Sequence, residues 1–283
     1  MRQHYRTVLR RQMLSYRNTF LIMYLCVYVL FAIICIFNYG RSLEQTANPD
    51  AFFTDKFNFS VGGMESVSII TLFIVGLNSF KEDFKFYSAN GVSRKTFFLG
   101  NLSAIGLISA ILAVIDTLNS LLFRVFLPYR SMYLQLYGER YGFSDHSLIQ
   151  DTGIHLDGLS SAADVPANLT VQMLLEGFLW LCFAYFWVTV IGLLITTLYY
   201  RMNAACKVLV SIGVPALLLF ILPSLDQLLF AGVLGRAFHS FTAFAWGFSN
   251  SYNPYIGIIS LLVLSTLFCA LCWLLSRKAP VKE

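Results

Sequence analysis

Six apolar stretches, each long enough to cross a bilayer, constrain this chain more than any motif in it. A helix rises 1.5 Å per residue, so crossing roughly 30 Å of hydrocarbon takes about 20 residues. Runs of that kind lie near 19–38, 61–80, 100–125, 170–198, 206–223 and 254–275. With 57% hydrophobic residues and only 12% charged, a soluble chain would have nowhere to bury its apolar surface. The expected fold is an all-α integral membrane protein with six transmembrane helices. The 283 residues form one membrane domain, with no convincing internal repeat and no attached soluble enzyme.

The basic residues orient it. With the N-terminus inside, fourteen of the 20 Lys and Arg fall on inner segments, and only Arg41, Lys56, Arg124, Arg130, Arg140 and Arg236 fall outside. The positive-inside bias places both termini in the cytosol of a multi-pass protein of the cell membrane. Net charge +5 then reflects topology and anionic membrane lipids, with no nucleic-acid partner implied.

Residues 1–18 do not read as a cleavable signal peptide, because their charges are spread along the segment instead of preceding a short apolar core. They read as an interfacial helix. At 100° per residue Tyr5, Val8, Leu9, Met13 and Tyr16 share one arc, and Arg6, Arg10, Arg11 and Arg17 the other.

Between the second and third spans lies Phe80 to Phe98, a basic, amphiphilic connector at the inner face. Phe84, Phe86 and Tyr87 alternate with Lys81, Glu82, Asp83 and Lys85, which suits a short surface helix. Asn90-Gly91 tolerates the left-handed conformation that stops a helix, and Ser93 can cap the one that follows, ahead of Arg94 and Lys95.

On the outer side, 39–60 is a short polar loop and 127–168 a larger one. In the latter, Tyr129, Tyr133, Tyr137 and Tyr141 recur every four residues. That spacing stacks rings along one helix face, either at the membrane boundary or packed beneath the loop itself. Asp145, Asp151, Asp157 and Asp164 are too widely spaced for a calcium loop, and His146 and His155 lack ligand neighbours. The segment 224–253 is rich in Leu, Phe and Ala, yet carries Asp226, Arg236 and His239, and an extra span there would reverse the C-terminus. It reads as an external re-entrant or interfacial hairpin before the last span. Pro215 and Pro223 should kink or end the fifth span, and Pro254 should open the sixth.

The six cysteines, Cys26, Cys35, Cys182, Cys206, Cys269 and Cys272, all sit in or beside spans, so neither a disulfide framework nor a metal site is expected. Gly91 to Thr96 lacks the second glycine of a phosphate-cradling loop, and no protease or esterase motif is present. The chain is therefore expected to be neither an enzyme nor a cofactor binder. Ionisable residues inside spans are candidates for function, because each costs about 2.5–3.5 kcal/mol at mid-bilayer. Glu65, Asp116 and Glu176 qualify as translocation-path candidates. Asp116 lies about 16 residues, roughly 24 Å, from the inner end of its span, and the two glutamates lie near outer ends, where they are open to an interfacial reading. With no acid at the midplane, an ion-coupled carrier is disfavoured.

The interfacial N-terminal helix, six spans, the charged connector with its Gly-Val-Ser-Arg-Lys turn, and the apolar hairpin before the last span together resemble an ATP-binding-cassette exporter permease of the type-two class. The resemblance is one of layout across the chain, and of residues only over Phe80 to Gly100. It implies that 81–89 is a coupling helix seated in a separate ATPase subunit, with Lys81, Glu82, Asp83, Phe84, Lys85, Phe86, Gly91 and Arg94 as coupling residues. It also implies that 1–18 is an elbow helix and that a second permease subunit, identical or not, completes the path. The loop at 127–168 is larger than in the most compact members. The competing reading is a membrane sensor or immunity component that binds a peptide or lipid at its outer loops without transport.

Overall fold

The computed structural model describes residues 2–47, 61–126, 129–141, 170–217, 220, 222–229, 232–248 and 252–277. Ten helices dominate these residues: α1 (Arg2–Ala47), α2 (Glu65–Asn78), α3 (Lys81–Ala89), α4 (Arg94–Phe126), α5 (Met132–Tyr137), α6 (Val171–Arg201), α7 (Ala204–Ala216), α8 (Leu222–Leu229), α9 (Val233–Ala245) and α10 (Pro254–Arg277). Two two-residue strands, β1 (Val61–Gly62) and β2 (Tyr129–Arg130), pair in parallel, Val61 with Tyr129 and Gly62 with Arg130.

Four helices are long and apolar enough to cross a membrane: Tyr5–Phe37 within α1, and α4, α6 and α10. The chain is thus an all-α, multi-pass membrane protein with four candidate spans. The expected second and fifth spans are shorter as helices. α2 has 14 residues and α7 has 13, or roughly 20 Å each. α2 is bounded by the strand β1 before it and by the bend at Ser79-Phe80 after it. In α7, Pro215 occupies the last turn, where its missing amide limits the helix. Pro223, expected to end that helix, instead stands in the first turn of α8, while Pro254 opens α10 as expected, with Asn253 Oδ1 accepting from the Tyr255 amide at 3.1 Å.

The N-terminal segment departs from the expected separate helix. Residues 2–18 continue without interruption into the first span as α1. No glycine or proline separates them from it, and Asn18 alone is too weak a breaker. Val8, Gln12, Tyr16, Met23, Val27 and Phe31 are its buried positions, at the three-to-four-residue multiples that keep one helical stripe inward, and the flanking arginines are exposed.

The chain divides into two compact units. Residues 1–9, 73–105 and 186–283 make the first, and 10–72 and 106–185 the second. Within the first, a cluster of Val8, Phe80, Phe84, Tyr87, Phe97, Ile105, Leu193 and Tyr200 forms the core. α2 and α6 meet there backbone to backbone: a Cβ added to Gly192 would stand 2.5 Å from the Phe73 carbonyl oxygen, and one added to Gly76 would overlap that of Thr189. α8 and α9 form the expected helical hairpin. Gly232 turns the chain at φ 75°, and the buried Asp226 accepts the Gly235 amide at 2.6 Å. In the second unit Phe31 stacks on Phe123 at 4.0 Å, and Tyr129 packs on the same ring. Asp145, His146, Asp151, His155, Asp157, Asp164 and Lys56 lie outside the described residues.

Candidate functional site

The connector is built as its sequence suggests. α3 starts with the Phe84 amide bonded to the Phe80 carbonyl at 2.8 Å. It ends in a paired closure: the Gly91 amide reaches the Ser88 carbonyl at 3.2 Å and the Val92 amide the Tyr87 carbonyl at 3.0 Å, with Gly91 at φ +71°. These are the two bonds of a Schellman stop, and glycine holds the left-handed position between them. Ser93 Oγ then accepts the Thr96 amide at 3.2 Å and caps α4.

The two faces of α3 differ. Phe84 and Tyr87 turn inward onto Phe80, Phe97 and Tyr200, with Phe80 stacked on Phe84 at 4.9 Å and Tyr200 edge-on to both at 5.5 and 5.7 Å. Lys81, Glu82 and Phe86 are exposed, and Asp83 and Lys85 partly so. Phe84, expected among the coupling residues, is thus a root of the helix and not part of its outer face. Arg94 is likewise engaged within the chain, its Nη1 donating to the carbonyl of Arg277 at 2.7 Å, which joins the start of α4 to the last turn of α10. A Cβ on Gly100 would meet Val8 Cγ1 at 2.8 Å, so that glycine lets α1 approach α4.

The three acids all belong to the second unit and all are buried, Glu65 and Asp116 lining one space and Glu176 standing in a separate cluster. None is left to water, and each receives phenol hydroxyls. Asp116 Oδ1 accepts from Tyr24 at 2.9 Å and Oδ2 from Tyr185 at 2.5 Å, with Ser68 and Asn119 also hydrogen-bonding to it. Beside this pair Tyr28 donates to Asn119 Oδ1 at 2.7 Å. Glu65 Oε2 accepts from Tyr129 at 2.8 Å and from the Met132 amide at 3.3 Å. Glu176 accepts from Tyr133 at 2.8 Å, from Tyr141, and from Gln172 at 2.8 Å, with Arg140 3.9 Å away. A buried carboxylate is tolerated when its lone pairs are filled in this way. The glutamates are therefore held inside the protein, at the ends of α2 and α6 that meet the tyrosine segment 129–141.

Tyrosine is suited to this task because its hydroxyl sits at the end of an apolar ring. The four-residue spacing of 129, 133, 137 and 141 takes its inward alternative. Tyr129, Tyr133 and Tyr137 are almost wholly buried, and burial pushes the Tyr137 and Tyr141 phenols up to about 12, aided for Tyr141 by Glu176. Tyr129 and Tyr133 are raised further, by burial first and then by their glutamates (and, for Tyr133, Tyr141). All four remain neutral donors across the physiological range.

Compared with protein families, with curated proteins and with solved structures, the chain matches none of them. Among the described residues no three His, Cys, Asp or Glu side chains gather as a metal centre would require. Sequence reasoning missed Tyr24, Ser68, Asn119 and Tyr185 as partners of Asp116, and Tyr28 as the donor to Asn119. A signal for some of them was present: Tyr24 and Tyr28 are four apart and Asp116 and Asn119 three apart, so each pair occupies one face of an otherwise apolar helix.

Proposed function

We propose that this chain is the membrane-spanning permease subunit of an ATP-binding-cassette transporter, an exporter, which crosses the cell membrane six times with both termini in the cytosol and pairs with a second permease chain and with ATPase subunits. On this reading α2 and α7 are the two short crossings, completed by residues flanking the helices. The observation that carries the proposal is α3, a nine-residue helix with a charged outer face and an aromatic root, set between two helices by a tight stop and a serine cap. A surface helix anchored in this way transmits a push, because a ring cluster packed near crystal density deforms little. Displacement of α3 passes to α4 through the Asn90 to Ser93 turn, and to α10 through the bond from Arg94 to Arg277. ATP-driven closure of the partner then changes helix packing and opens an outward path, which Asp116 and the two glutamates flank.

The test is isolation of the chain from its native membrane in a mild detergent. The expected preparation contains an ATPase subunit and hydrolyses ATP. Reversing the charge of both Lys81 and Lys85 to Glu removes the ATPase subunit while leaving the amount of inserted chain unchanged, since substitutions on an exposed face shift stability by only about 0.5 kcal/mol. A chain recovered without any ATPase from gentle extraction contradicts the proposal.

A further inference from the structure

The second unit contains a partly enclosed space with room for about one water molecule, lined among others by Tyr24, Glu65, Ser68, Asp116 and Asn119. Among the described residues that line it, two are carboxylic acids and none is Lys, Arg or His. Asp116 has its oxygens filled by the phenols of Tyr24 and Tyr185, with Ser68 and Asn119 adding to them. Glu65 does not. Its Oε2 accepts Tyr129 and the Met132 amide, but Oε1 is shut off from solvent and has no partner from any other residue, on a side chain only 2% exposed. An unpartnered buried carboxylate oxygen beside a second carboxylate lacks both a hydrogen-bond donor and a positive charge, and either deficit is costly in a low-dielectric interior.

A water molecule in this space would satisfy Glu65 Oε1 but would leave two acids facing each other without a counter-charge. An ion that takes oxygen ligands and has shed its water satisfies both. The donor set selects its class. Apart from the Asn119 amide nitrogen and the Met64 thioether, the polar side-chain atoms of the lining residues are oxygens, which suits a hard cation, whereas a space of one water leaves no room for the hydration shell that magnesium keeps. We propose that this space binds one dehydrated alkali cation, sodium or potassium, with Glu65 and Asp116 supplying charge and Ser68 and Asn119 neutral oxygens. The inference does not depend on the permease proposal, because it concerns a site within one chain and is read as binding.

The full chain, purified into nanodiscs of uncharged lipid, is equilibrated with radioactive sodium, and bound ion is displaced with potassium. Its melting temperature is measured in parallel in sodium, potassium and choline chloride at equal ionic strength. The expected result is saturable binding of one ion per chain, with a melting temperature that rises with sodium or potassium and not with choline, as for any ligand that binds only the folded state. Glu65→Gln keeps the acceptor for Tyr129, places an amide in the space, and weakens binding by about ten-fold or more, since even supporting partners of a bound ion carry that much. Asp116→Asn does the same, and where it fails to fold Glu65→Gln decides alone. Glu176→Gln, in the separate cluster with Tyr133 and Tyr141, leaves binding unchanged. Absence of saturable binding of either ion to the unaltered chain, equal stabilisation by choline, or binding that survives Glu65→Gln overturns the proposal.

Discussion

The two units of this protein differ in what holds their helices together. In the first, the connector helix and its neighbours are joined by rings and by backbone contact: Phe80, Phe84, Tyr87, Phe97 and Tyr200 interlock, and Gly76 and Gly192 bring α2 and α6 together. In the second, three buried acids are each tied by phenol hydroxyls from other parts of the fold. Apolar side chains gain no hydrophobic drive from leaving lipid for one another, so helices in a bilayer associate through close packing or through polar contacts. Both devices occur in both units, but the buried acids bonded by phenols belong to the second. Packing resists compression and is sensitive to lost volume. A hydrogen-bonded carboxylate tolerates small changes of shape and is sensitive to the loss of one partner.

The largest expected effect follows from volume. Phe84→Ala empties the centre of the aromatic cluster and should cost about 3–5 kcal/mol, the range for such truncations in a packed core, measured as loss of the folded fraction in a detergent unfolding series. Phe86, two residues away and 44% exposed, gives the matched control. If Phe86→Ala destabilises as much as Phe84→Ala, the rings are not the seat of the connector and the contrast between the units collapses.

Smaller effects belong to the other unit. Tyr185→Phe keeps the ring and strands an oxygen of Asp116, which should cost about 1–3 kcal/mol. Asp116→Asn turns an amide towards one of two phenol donors and should act similarly, and Asp116→Leu, which leaves both phenols without an acceptor, should be worse. Activity per assembled complex should fall in Asp116→Asn if the acid also flanks the path. Asp116→Leu that is silent or stabilising would show that the phenols find other partners and that the acid ties nothing.

How much of this was legible in the sequence depended on whether the signal was local. The stop at Asn90-Gly91, the Ser93 cap and Pro254 at the head of α10 are set by residues next to one another, and all three appear as read, while the described residues of 224–253 form the helix pair α8 and α9. The elbow failed for a local reason too, since an arc of arginines marks a face of a helix and does not end it. The bonds to the acids were not legible, because Tyr24 and Asp116 are 92 residues apart, and Tyr185 and Asp116 are 69 apart. Only the tyrosine spacing hinted at them, and that spacing left its direction open. The roles of Phe84 and Arg94 were hidden for a related reason: a resemblance by layout assigns a segment to a partner, whereas contacts within the chain decide which side chains remain available.

The smallest expected effect is in the pH profile. A phenol whose ionisation is pushed up to about 12 by burial, with Glu176 adding to it for Tyr141, keeps its proton in the folded chain while an unfolded tyrosine, with a value near 10, loses it. Tyr137 and Tyr141 therefore contribute stability that is complete below about pH 10 and is lost as pH rises from about 10 to 12. Phenolate absorbance should appear in two stages, with the buried set following only as the chain unfolds. A single transition near pH 10 for all the tyrosines would break the account of the second unit.

Orientation tests the account most directly, because a connector that does not face the cytosol cannot meet an ATPase. In a chain whose six cysteines are replaced by alanine, single cysteines at the exposed positions Ser93 and Glu139 are treated in intact cells with a membrane-impermeant thiol reagent. The account predicts that Glu139→Cys is labelled from outside and that Ser93→Cys is labelled only after the membrane is permeabilised. Labelling of Ser93→Cys in intact cells would contradict it.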